Sequence, residues 1–129
     1  MDIFTYGSLM FPAVWQRVVR GEYRSAPVLL PGFARYEVSG ETYPGLVRQA
    51  GAAVNGVLYF DVDDADLLTL DVFEGSEYRR EAVTVSLEAD RNLVVETYVF
   101  TATERLTRRE WDPQAFRIAH FIDAYCPDR

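Results

Sequence analysis

Lysine is absent from this chain, and all thirteen basic residues are arginine. Neither a Schiff-base lysine nor a lysine general base is therefore open to any chemistry the protein performs. Histidine and cysteine occur once each, His120 and Cys126. Cys126 has no partner for an internal disulfide, and the two residues fall short of the converging donor set a zinc site needs, so no metal and no cofactor are expected. A reducing, cytoplasmic setting follows as the expectation. No apolar run approaches the roughly 18 residues of a membrane span, and Met1 to Phe4 carries no basic segment ahead of a long apolar core. No membrane association is expected. Positive charge is scarce too: thirteen basic against twenty acidic residues leave a net charge of −7. So little positive field makes a nucleic-acid partner a poor match.

What is present suits one compact domain, residues 1–129. The chain is 49% hydrophobic, and at this length folding buries roughly two thirds of the unfolded surface. No linker, repeat or low-complexity tract interrupts it. Residues 2–6 (DIFTY) read as a short strand. In 10–19, Val14, Trp15, Val18 and Val19 share a helical face after Pro12 in the opening turn. The β-branched and aromatic runs 26–38, 43–49 and 53–62 are punctuated by Pro31-Gly32, Pro44-Gly45 and Gly51, which predicts three strands. Asp63, with Asp66 three positions on, reads as the N-cap of a helix carrying Ala65, Leu67, Leu68, Leu70 and Val72 and stopping at Gly75. Alternation over 78–88 and the run 93–102, around Asp90-Arg91-Asn92, predict a hairpin. Asp112-Pro113 reads as the cap of a last helix with Phe116, Ala119, Phe121 and Ile122 inward.

Two stretches carry candidate chemistry. In FTYGSLM, residues 4–10, the apolar run ends on Tyr6-Gly7-Ser8 and a new one starts at once. A glycine and a small hydroxyl between strand and helix make either a tight turn or a backbone kept open to a ligand. In LTLDVFEGSEYRR, Glu74 ends a helix ahead of Gly75. A carboxylate there faces the negative end of the helix dipole, and cover from Val72 and Phe73 would desolvate it, both favouring a group that trades a proton near neutrality. The alternative is a solvated turn glutamate, the role expected of Glu77. His120 and Cys126 have no activating partner in the sequence, and a packed or surface position is expected for each.

YGSL after the first strand, then YPGLV, VNGVLYFDV and LDVFEGSEYRR in that order, resemble the γ-glutamylcyclotransferase-like proteins, including γ-glutamylamine cyclotransferases and the plant AIG2-like group. The resemblance spans nearly the whole chain. It implies an α+β fold, a small mixed β-barrel with helices packed outside, and a cavity at one end. It also implies Glu74 as catalytic acid/base and the loop of Tyr6, Gly7, Ser8 and Leu9 as the substrate-binding turn. A Gly-Ser turn presents backbone N–H groups that can hold a carboxylate without any lysine or arginine, which suits the α-carboxylate of a γ-glutamyl group.

The implied reaction is attack of the substrate's own α-amino group on its γ-carbonyl, giving 5-oxoproline and a free amine or amino acid. Tyr43 and Tyr78, with Tyr6 and Tyr98, are candidates to line the cavity, and of Arg79 and Arg80 at most one turns inward. The expected partner is a small-molecule γ-glutamyl substrate, with the protein a monomer or weak dimer. Two rivals stand beside this reading: a non-catalytic small-molecule binding domain on the same cavity, and a carboxylate-pair hydrolase using Glu74 with Glu77 or Asp71.

Overall fold

The computed structural model describes residues 1–88 and 91–126. Six strands, β1 (Ile3–Thr5), β2 (Ser25–Val38), β3 (Pro44–Tyr59), β4 (Tyr78–Leu87), β5 (Arg91–Phe100) and β6 (Leu106–Glu110), accompany three helices, α1 (Pro12–Val18), α2 (Asp64–Glu74) and α3 (Ile118–Tyr125). The order β3-β1-β5-β4-β2 closes on itself through β2–β3 pairing, and β6 adds to the far half of β2. The β1–β5 pair is parallel and the others antiparallel. This is the expected mixed barrel with external helices; closure pairs each strand from β1 to β5 on both sides, and β6, paired with β2, keeps an outer edge.

Alternation along the strands sorts the core into two layers. Phe4, Val28, Leu30, Leu46, Leu58 and Val85 fill the barrel. On the other face Ile3 and Tyr98 meet Val14, Trp15, Leu70 and Phe121 from the three helices. The four residues expected on the inner face of α1 are all buried. At α2, the Asp63 carboxylate accepts from the Asp66 N–H as a cap, and Gly75 ends the helix at φ 84°.

Several expectations are corrected. The runs 43–49 and 53–62 form one strand that ends at Tyr59, so β2 and β3 make a long hairpin in place of three strands. Its register jumps between Pro31↔Ala53 and Phe33↔Arg48. Gly51, at φ 83°, turns the chain out as a bulge and lets it rejoin the ladder, so Gly and Pro here mark an irregularity inside a strand. Strand β6 was not expected, because LTRRE lacks apolar alternation; its pairing with Tyr36 and Val38 supplies what its side chains do not. Leu68 and Val72 are exposed on α2. Asp112 caps only a short 3-10 turn at Pro113–Ala115, and α3 starts separately, with Ala119 exposed. Asp90 of the expected turn lies outside the described residues, and Arg91 and Asn92 already belong to β5.

Candidate active site

Chain order places the two candidate stretches far apart, and the barrel brings them together. β1 runs out of the sheet into Tyr6-Gly7, and α2 ends on Glu74 beside it. Both border one narrow cleft that encloses about 20 Å³ and opens to solvent at its mouth. Tyr6, Gly7, Ser8 and Leu9 line one side of it, and Tyr43, Tyr78, Tyr98 and Glu74 the rest. Glu74 and the residues expected to bind substrate thus meet at this one place, whereas Asp71 and Glu77, the partners of the hydrolase rival, are not among its lining.

The turn is built to leave donors free. Ser8–Met10 form a single 3-10 turn in which the Met10 N–H bonds the Gly7 carbonyl and the Phe11 N–H bonds the Ser8 carbonyl. The N–H groups of Gly7, Ser8 and Leu9 stay outside that bonding. Gly7 has φ −126° and ψ −131°. A side chain there would also meet the Pro44 ring, whose carbons lie 2.9 Å from where a Cβ would stand.

The Glu74 residue is only partly covered, yet its carboxyl end points into protein. Burial first, and the Asp71 carboxylate second, push it up to about 8. Val72, exposed, contributes nothing to that cover, while Phe73 packs into the helix layer. Asp71 precedes Glu74 by three residues on the same helical face. It accepts from the Tyr98 hydroxyl at 2.6 Å and lies 3.1 Å from the Arg80 guanidinium. Arg80 also meets Glu96 at 3.1 Å, whereas Arg79 faces solvent against Glu81. One of the two arginines does turn inward, toward Asp71 and away from the ligand space.

The four tyrosines are fixed by their own hydroxyls. Tyr6 donates to the Tyr98 carbonyl at 2.6 Å, Tyr78 to the Pro44 carbonyl at 2.7 Å and Tyr43 to Glu41 at 2.9 Å. Burial pushes the phenols of Tyr6, Tyr78 and Tyr98 well up, and pushes that of Tyr43 to about 12. They stay neutral and hold the walls in place. Glu77 is not the solvated residue expected: it is half-buried and paired with Arg105, which also reaches Glu41. It does not line the cleft. His120 is exposed, and burial pushes the Cys126 thiol up. Among the described residues no group of three His, Cys, Asp or Glu side chains is placed to hold a metal ion, and no helix is long and apolar enough to cross a membrane.

Sequence reasoning missed Pro44, although YPGLV contains it, and it left Asp71 only as a partner in a rival mechanism. Both signals were spatial: Pro44 matters because it abuts Gly7, and Asp71 because Tyr98 and Arg80 reach it from β5 and β4.

Comparison with known proteins bears on the family and the fold. The family described as gamma-glutamyl cyclotransferase, AIG2-like, matches residues 3–114. Protein AIG2 C of Arabidopsis thaliana is 34% identical over 129 residues, covering 96% of this chain and 78% of its own. A solution structure of an Arabidopsis thaliana protein superposes with a TM-score of 0.73 at 33% identity, covering 96% of this chain and 78% of that one. A yeast gamma-glutamyl cyclotransferase specific to glutathione shares the fold, with a TM-score of 0.62 at 18% identity, 85% of this chain and 73% of that one being covered. The chain belongs to the gamma-glutamyl cyclotransferase, AIG2-like family.

Proposed function

We propose that the cleft cyclises a γ-glutamyl compound to 5-oxoproline and releases its amine or amino acid. One observation carries the reading: a carboxyl group that holds its proton to about pH 8 faces a turn of free backbone N–H groups across a single cleft. The turn of Tyr6, Gly7, Ser8 and Leu9 receives the α-carboxylate, and Tyr43 and Tyr78 shape the space for the glutamyl chain. In the fraction of molecules where it is ionised, Glu74 takes a proton from the α-ammonium, and the freed amine attacks the γ-carbonyl carbon. A C–N bond closes the five-membered ring as the amide C–N bond breaks. Glu74 delivers its proton to the departing nitrogen, and the second proton lost by the ring nitrogen follows, so the leaving group departs as an ammonium. No protein nucleophile is needed; holding the chain in the attacking shape supplies several kcal/mol of the barrier, and a basic carboxylate suits both proton transfers.

The test is 5-oxoproline release from a panel of γ-glutamyl amines, γ-glutamyl amino acids and glutathione, with a metal chelator present. Release by the wild type, together with a Glu74→Gln variant that binds substrate yet turns over on the order of a hundredfold more slowly or worse, is the expected result. No release from any member of the panel, or near-normal release by Glu74→Gln, overturns the reading.

A further inference from the structure

Arg35 sits on β2, half-buried. Its Nη1 donates to the Tyr6 carbonyl at 2.7 Å and to the Asn55 carbonyl at 3.1 Å. The guanidinium stacks on Trp111 with 5.3 Å to the ring centroid, and with Asn55, Glu110 and Trp111 it borders a depression separate from the Glu74 cleft. A covered guanidinium is costly unless its bonds compensate, and the shorter of its two carbonyl bonds goes to the peptide that precedes Gly7.

We propose that Arg35 is a positioning residue, fixing the Tyr6–Gly7 peptide with its carbonyl turned outward so that the Gly7 N–H is aimed into the cleft as a donor for the ligand's α-carboxylate. A trans peptide is planar, and its C=O and N–H point in opposite directions. Anchoring the carbonyl to Arg35 therefore sends the N–H away from Arg35, toward the side where Tyr6 and Gly7 border the cleft. That N–H makes no hydrogen bond among the described residues. The cation on the carbonyl also polarises the peptide and strengthens its donor end. Positive charge thus acts on the anion through a peptide, with no basic side chain lining the cleft. The identity of the ligand rests on the cyclotransferase reading; the direction of the amide does not.

The experiment follows the backbone amides of the ¹⁵N-labelled wild type while L-glutamate is added, then compares Arg35→Met and Arg35→Lys. A saturable downfield shift of the Gly7 amide is expected, whereas a Gly7 amide that stays in place overturns the proposal. Arg35→Met is expected to weaken L-glutamate binding on the order of tenfold while changing the binding of L-isoglutamine, which carries an α-carboxamide, much less, and Arg35→Lys to restore most of the loss. Equal weakening toward both compounds means that Arg35 only ties β1 to β3, and overturns it. Should Arg35→Met not fold, the wild-type titration and Arg35→Lys decide alone. A wild type that never releases 5-oxoproline removes the cyclotransferase reading and leaves the Gly7 shift to decide this one.

Discussion

A carboxyl group that keeps its proton to about pH 8 weakens the fold once solvent takes that proton away. In the unfolded chain Glu74 ionises near 4.5. Below that value both states are protonated and its contribution is fully present. Between 4.5 and about 8 only the unfolded chain releases the proton, so stability falls as pH rises, and above the folded value the loss is complete. Glu74→Gln has nothing to release. Urea unfolding at pH 5 and pH 9 is expected to show the variant gaining on the wild type across that window, by a few kcal/mol at the very most since the residue keeps some exposure. Parallel pH dependence of the two proteins would mean that Glu74 ionises normally. The helix end ahead of Gly75 made Glu74 readable in the sequence. The main cause of its shift was only half readable: desolvation was foreseen from Val72 and Phe73, of which Phe73 packs inward and Val72 turns out exposed, and Asp71 as a second cause was not foreseen at all.

Strand, turn and helix around Gly7 depend on one close contact. Gly7 has φ −126° and ψ −131°. A steric requirement for glycine comes from β3, whose first residue, Pro44, would meet a Cβ at 2.9 Å. Pro44 also accepts the Tyr78 hydroxyl through its carbonyl, so a shift of β3 there disturbs two walls of the cleft at once. Gly7→Ala is accordingly expected to weaken L-glutamate binding several-fold with a modest fall in Tm, and Gly7→Val to do more, overpacking of this kind costing about 1–3 kcal/mol. Calorimetric titration and thermal unfolding check it; unchanged affinity in a folded Gly7→Val would remove the turn from the binding site. Elements with strong local signals, α1, α2 with its Asp63 cap, and the β4 and β5 pair, were legible in the sequence. Those defined by their neighbours were not. Pro31-Gly32 and Gly51 look like strand ends but sit in a bulge held by the opposite strand, and the charged β6 is a strand only because β2 offers it a partner.

Closure of the barrel couples the two halves of the cleft. The Glu74 side hangs from α2 and the β5 face, while the turn hangs from β1, and β1 is held between β3 and β5 by only three residues of ladder on one side and a short parallel contact on the other. Gly56 on β3 is where that grip is tightest. A Cβ at this position would stand against the Thr5 carbonyl and 2.6 Å from carbons of the Phe4 ring. Phe4 is buried in the barrel interior, and neither a backbone carbonyl nor a buried ring can swing aside cheaply. β1 must therefore move outward, and in a closed sheet it cannot do so without straining its contact with β5 and carrying Tyr6 and Gly7 away from Glu74. Gly56→Ala is expected to destabilise the protein by about 2–3 kcal/mol and to lower 5-oxoproline release at temperatures where the variant is still fully folded. A control at an exposed strand position, Val94→Ala, should change neither by much, since Val94 is 72% exposed. A Gly56→Ala protein with the wild-type Tm would show that β1 is not clamped by β3. One that is destabilised yet fully active when folded would show that the turn and Glu74 keep their spacing independently of that clamp.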